Sequence, residues 1–181
     1  VAIERDLYGS KHPRRIVPLI NLAALASRRG DADATALLNE AVDLARTALR
    51  PEHDDRAWAL TELGRHLYLN ENKPAEAEPL LREALEIRKK GSSHPKNWKL
   101  PRSEATLGQC LMRLGKFEES EAVLRSALDR LKKGLGDRHR MTLGCAIYLA
   151  QTLQRAGRFA EARPLFLDSI AGLKETLGAK I

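Results

Sequence analysis

Four histidines recur along the chain, His12, His53, His94 and His139, and imidazole is both a common zinc ligand and the side chain best suited to move protons near neutral pH. A zinc site needs its ligands to converge at about 2 Å from one ion. These four are spread one to each stretch of roughly 42 residues, and a helical repeat would hold them on successive turns, far apart. The simpler role is structural, as capping residues at equivalent joints. Two thiols, Cys110 and Cys145, sit inside apolar helical segments of neighbouring stretches. They form no disulfide framework, fit a reducing compartment and are expected to be buried and inert. No phosphate-binding glycine loop, serine or cysteine triad, paired-carboxylate motif or metal-ligand spacing is present. The residues therefore predict no enzyme, no cofactor and no metal.

Charge offers a second kind of chemistry. Lys and Arg number 31 against 24 Asp and Glu, a formal net charge of +7. An acidic peptide, a nucleic acid or an anionic lipid would each be attracted. Yet the cations are interleaved with carboxylates throughout, as on an ordinary solvated helix surface. They crowd only at Arg88-Lys89-Lys90, Arg130 and Lys132-Lys133, where either a phosphate patch or the dipole at a helix C-terminus would account for them. Helical repeats that read RNA use fixed side chains, one base per repeat. Here the equivalent positions vary and stacking aromatics are scarce, which argues against nucleic acid. The longest apolar stretch, Ile16 to Ala26, is interrupted by Pro18 and Asn21 and falls short of the roughly 20 residues a membrane helix needs.

The elements that must position these residues show in the spacing. Leu22-Ala23, Leu63-Gly64, Leu107-Gly108 and Leu149-Ala150 recur at intervals of 41, 44 and 42. A second set of small residues, Ala34, Ala77, Ser120 and Ala162, recurs at 43, 43 and 42. Seven residues after each stands another small one, Ala41, Ala84, Ala127 or Ser169, with Leu38, Leu81, Leu124 or Phe166 between. Each unit therefore predicts two amphipathic helices, the first carrying the Leu-[Ala/Gly] pair and ending near Gly30, Asn72, Gly115 or Gly157. Small residues recur where helix axes approach closely. With few β-branched runs and no apolar/polar alternation, no sheet is expected. The array is read as one domain over 1–181: the end of a preceding repeat at 1–9, then repeats at 12–50, 53–91, 94–136 and 139–178. Val1 reads as an internal start, and neither end looks like a polar cap. In the third unit, Pro101 should set the start of the first helix or kink it.

At the joints the pattern becomes nameable. Tyr8-Gly9-Ser10-Lys11-His12-Pro13 and Gly91-Ser92-Ser93-His94-Pro95 resemble the G-x-x-H-P joint of kinesin-light-chain-type tetratricopeptide repeats. Leu19-Ile20-Asn21-Leu22-Ala23, Ala75-Glu76-Ala77-Glu78-Pro79-Leu80-Leu81-Arg82-Glu83-Ala84-Leu85 and Gly115-Lys116-Phe117-Glu118-Glu119-Ser120 are similar to the same repeats, in a variant longer than the usual 34 residues. The resemblance spans nearly the whole chain. It implies an α-α superhelix whose inner groove, lined by first helices, holds peptides or proteins, within a larger regulatory or signalling protein of the cytoplasm. One family feature does not carry over. The family sets Asn two residues before the Leu-Ala pair to clamp a peptide backbone, and Ile20, Thr61, Ala105 and Ile147 stand there instead.

Positions two before, two after and five after each pair's Leu share one helix face. That face is Ile20, Ala24 and Ser27; Thr61, Arg65 and Tyr68; Ala105, Gln109 and Met112; Ile147, Gln151 and Gln154, with Arg28, Leu69, Arg113 and Arg155 one residue further. An apolar floor with amides and arginines suits an apolar segment bearing carboxylates. Arg65 is expected at its centre, with Tyr68 and Met112 as apolar contacts. Trp58 and Trp98 are candidate anchors. The expected partner is a protein or peptide, with acidic residues suiting the arginines. Self-association through uncapped ends is a further expectation.

Overall fold

The computed structural model describes residues 12–91 and 98–178, and among these every regular element is a helix. A 3-10 turn, Pro13–Arg15, leads into α1 (Ile16–Arg29), followed by α2 (Ala34–Ala48), α3 (Asp54–Leu69), α4 (Pro74–Lys90), α5 (Lys99–Arg113), α6 (Phe117–Leu135), α7 (Arg140–Arg155) and α8 (Phe159–Gly178). The chain divides into two compact units, 1–91 and 92–181. The first holds hairpins α1–α2 and α3–α4, the second α5–α6 and α7–α8. This is the all-α repeat of helical hairpins that the spacing predicts. The half unit expected over 1–9 and the joint at His94 lie outside the described residues.

The joint histidines cap helix starts, His53 and His139 those of α3 and α7, and His12 that of the 3-10 turn before α1. In extended backbone, Nδ1 of His12, His53 and His139 accepts the N–H of Arg14, Asp55 and Met141 at 3.2, 3.1 and 3.2 Å. Each satisfies one of the N–H groups a helix start leaves without a partner. The third unit departs from this. Its first helix starts at Lys99 without a side-chain cap, and Pro101 lies in its first turn, where a missing N–H is tolerated. First helices end on a left-handed residue: Gly30, Gly115 and Gly157 have φ of 75, 75 and 78°. The N–H that follows each glycine reaches back to Ala26, Leu111 and Leu153 at 3.0, 3.0 and 2.9 Å, satisfying a terminal carbonyl. Asn72 takes the same conformation at φ 54°, one of the few side chains that tolerate it.

Close packing within each hairpin follows from the small residues. Ala34, Ala41, Ala77, Ala84, Ser120, Ala127, Ala162 and Ser169 are all buried. A Cβ added at Gly64 would lie 2.7 Å from Leu81, and one at Gly108 would lie 2.5 Å from Leu124. The leucine of the second helix thus occupies the space a side chain on the first would need. Ser120, the one polar member buried in the third hairpin's seam, donates its hydroxyl to the Gly108 carbonyl at 2.7 Å and meets the Thr152 hydroxyl at 3.0 Å.

Polar ties join neighbouring hairpins. In the first unit Glu83 accepts Arg56 of its own hairpin at 2.8 Å and Arg46 of the preceding one at 2.7 Å. The buried His66 meets Ser27 at 2.8 Å and Thr35 at 3.1 Å, and Thr35 also donates to Glu71. In the second unit Glu121 pairs with Arg158 across the joint. A hydrogen bond from Lys73, then one from Thr35, hold the Glu71 carboxyl below its ordinary 4.5. Burial pushes Glu83 and Glu121 up, but their paired arginines outweigh it and hold both below 4.5.

Two outcomes follow. Gly108→Ala should gain about 1 kcal/mol of helix propensity and lose about 1–3 to overpacking, for a net loss of stability. Gly144→Ala, whose Cβ would meet nothing within 4 Å, should gain about 0.5–1 kcal/mol. Urea midpoints of the two variants, moving in opposite directions, check this. The second concerns pH. The carboxylates of Glu71, Glu83 and Glu121 titrate lower folded than unfolded, so their contribution is complete above pH 4.5 and drains as pH falls through the folded values. Thermal midpoints should fall below pH 4.5, and Glu83→Gln should make that fall shallower.

Candidate functional site

In each unit the first helices of adjacent hairpins lie side by side, α1 with α3 and α5 with α7. α1 and α5 thus each touch their own second helix and the first helix of the next hairpin, which covers part of the expected face. This divides the residues expected on the binding face. Ile20, Thr61, Tyr68 and Met112 are buried, Tyr68 at 1% exposure, as is Ala105. Thr61 turns its hydroxyl to the Ala57 carbonyl of its own helix at 2.7 Å. The burial of Tyr68 and Met112 corrects the expectation that they supply apolar contacts to a partner. Left at or near the surface are Ala24, Arg28 and Arg65 in the first unit and Gln109, Arg113, Ile147, Gln151, Gln154 and Arg155 in the second.

Arg65 is not a bare cation. Its Nε and Nη2 donate to Oε2 of Glu62 at 3.0 and 2.7 Å, and the Glu62 side chain is nearly buried. An approaching carboxylate meets a pair already neutralised, so the central role expected of Arg65 weakens. The i, i+3 spacing of Glu62 and Arg65 was the sequence signal for this pair. Gly144 and Tyr148 were also passed over. They stand on α7 beside Ile147, Tyr148 half-buried and Gly144 facing open space. Ser27, expected on the open face, is engaged by His66.

Ser27, His66 and Glu71 are residue types of a hydrolytic relay, but their arrangement is not one. Nε2 of His66 faces Thr35 at 3.1 Å and Glu71 at 3.5 Å, and the imidazole is 7% exposed, so a substrate has no approach to it. The cluster is a polar staple between hairpins. Histidine capping spends Nδ1 at three joints, and among the described residues no group of three or more His, Cys, Asp or Glu could hold a metal. The basic crowding at the ends of second helices is matched by carboxylates: Lys89 with Glu86 at 2.8 Å, Lys133 with Asp129 at 2.8 Å, Arg130 with Glu104 at 3.5 Å and Arg88 with Asp54 at 3.8 Å. Trp98 is exposed, with the Arg102 guanidinium 5.9 Å from its ring centre. Trp58 is half-buried.

Paired helices of this length, ended by left-handed turns and repeated at about 42 residues, define a known architecture, and the family profile described as tetratricopeptide repeat matches residues 19–90 and 101–175. The chain belongs to the tetratricopeptide repeat family. Among solved structures it is similar to the nearly identical repeats of a Podosopora anserina protein described as a kinesin light chain. A form of that protein carrying a single substitution matches with a TM-score of 0.78 and 28% identity, covering 97% of this chain and 82% of that one. The form without the substitution gives 0.75 at the same identity and coverage. The fold is shared with BtubC (BKLC) of P. vanneervenii at a TM-score of 0.59 and 19% identity, over 97% of this chain and 87% of that one. No curated protein sequence matches the chain. Tetratricopeptide repeats are in general scaffolds for protein interaction. No helix among the described residues is long and apolar enough to cross a membrane.

Both thiols are buried, and Cys145 donates to the Leu124 carbonyl at 3.6 Å. Burial, with a further push from the Glu104 carboxylate, raises the Cys145 thiol to about 12. Iodoacetamide should therefore leave both cysteines unmodified in the native chain and label both in urea. Rapid labelling of native Cys145 would contradict the burial.

Proposed function

We propose that this tetratricopeptide repeat chain binds an extended protein segment along the surface residues of the first helices of its second unit, α5 and α7. One observation supports this above others. Gln109 and Gln151 stand at the same register of neighbouring helices, two residues after Leu107 and Leu149, and Arg113 and Arg155 repeat four residues further on. Two amides and two cations thereby form two parallel rows. The family's clamping asparagine stands two residues before the Leu-Ala pair, and the glutamines lie one turn along from that place. A carboxamide both donates and accepts, which suits a peptide backbone, and an arginine fork suits a carboxylate. Ile147, with Gly144 leaving room beside it, offers an apolar contact.

The occupant expected is therefore an extended segment with an apolar side chain and at least one acidic residue. The chain acts by binding rather than by catalysis, as part of a larger regulatory protein, and its buried thiols suit the cytoplasm. A peptide-library screen tests this. Binders should be enriched in Asp or Glu; Arg155→Glu should weaken acidic binders about tenfold or more, and Gln151→Ala should weaken binders whatever their charge. Binders indifferent to acidic residues, or affinities unmoved by both substitutions, would show that this surface is not the site.

A further inference from the structure

Building on the binding role above, we propose that Gly144 of α7 determines specificity: it opens a seat in the helix surface for one aromatic side chain of the bound segment. Glycine weakens a helix interior relative to alanine, because it gives up more backbone freedom and packs no side chain. A helix that keeps one needs a compensating reason. Gly64, Gly108 and Gly172 have it in close packing: a Cβ there would lie 2.7 Å from Leu81, 2.5 Å from Leu124 and 2.9 Å from Arg138. Gly144 does not. It stands inside α7, takes no left-handed conformation, and an added Cβ would meet nothing within 4 Å. The space above it is left for a group that the hairpins do not supply.

The opening belongs to the register rather than to the place of α7 in the chain. Val17, Trp58, Arg102 and Gly144 stand five residues before Leu22, Leu63, Leu107 and Leu149. Val17 is half-buried and Arg102 exposed, although a further first helix packs beside each, α3 and α7 in turn. A following hairpin therefore leaves this register at the surface. The same holds for the registers of Gln151 and Arg155: Ala24 and Gln109 stay half-buried, and Arg28 and Arg113 exposed, in helices that have a follower. Gly144, Gln151 and Arg155 share one face of α7 at i, i+7 and i+11. Where the other repeats fill the first of these places with valine, tryptophan or arginine, α7 leaves it empty.

The surroundings select an aromatic ring. Met141 and Tyr148 stand one turn before and one turn after Gly144, both half-buried and packed against the core of the second unit. A thioether and a phenol ring both favour aromatic neighbours. The charged groups beside the seat are cations, exposed Arg140 on α7 and Arg102 at the same register of α5. A ring face attracts a guanidinium where an aliphatic side chain does not, and Arg102 already lies 5.9 Å from the ring centre of Trp98. Gly144 and Arg155 are separated by about 16 Å of helix. The aromatic residue and the acidic one that meets Arg155 should therefore stand several residues apart in the segment.

Peptide binding to the 181-residue chain and to its Gly144→Leu and Gly144→Ala forms tests this. Nothing obstructs either new side chain, so circular dichroism should show both forms folded, with urea midpoints no lower than that of the unmodified chain. Library binders of the unmodified chain should carry Phe, Tyr or Trp at one position, and alanine there should weaken them about tenfold or more. Gly144→Leu should remove that preference, weakening the aromatic peptide about tenfold while its alanine version binds as before or more tightly; Gly144→Ala should fall between. Arg155→Glu should weaken both peptides and leave the preference intact. Binders without an aromatic preference, a preference that survives Gly144→Leu, or equal weakening of both peptides by Gly144→Leu would overturn the seat; if Arg155→Glu and Gln151→Ala still weaken binding, the binding surface itself stands. A library without binders, or affinities unmoved by every substitution, would overturn both.

Discussion

Two helices can lie only as close as the smallest side chains between them allow, and in these hairpins that limit is reached. Leu81 and Leu124 fill the space above Gly64 and Gly108 so fully that one added methyl would collide with them. Everything else depends on that approach. It brings the second helices near enough for Glu83 and Glu121 to reach arginines on two hairpins, and for Ser120 to find both a carbonyl on its own first helix and a hydroxyl on the next. Dispersion and buried area supply the attraction; the small residues set the distance at which it acts.

That constraint explains what could be read in the residues beforehand. A period carried by small and bulky side chains at fixed offsets is a direct record of helix contacts, so the hairpins and the ends of first helices near Gly30, Gly115 and Gly157 were legible. So was the capping role of His12, His53 and His139, because four equivalent residues so far apart in sequence have no common ion to bind. The binding face was less legible. A face defined by i, i+4 and i+7 names a direction on one helix, and Tyr68 and Met112 lie in that direction. Whether they reach solvent depends on what packs against that helix. No single helix carries that information. The pairing of Arg65 with Glu62 was visible as spacing, but the burial of Glu62 that makes the pair neutral was not.

The ion pairs at the joints also divide the work differently from the apolar contacts. Leucine against glycine is tolerant of rotation about the contact, whereas a fork of two arginines on Glu83 is not. The apolar seam holds the two helices of one hairpin together, and the polar ties select the angle at which the next hairpin is held. The buried His66 has this second character, with Ser27, Thr35 and Glu71 around one ring.

The pairing of cations has a consequence at long range. Much of the positive charge is spent within the molecule, on carboxylates one helical turn or one hairpin away, and opposite charges a few ångströms apart form dipoles whose field fades quickly in salt water. The field that survives at a distance comes from the excess of +7. Exposed arginines such as Arg28, Arg155 and Arg163 therefore shape it more than their share of the total would suggest. A diffusing acidic molecule would be guided to those places before any contact forms. The speed of encounter should then depend on ionic strength far more than the lifetime of whatever complex results.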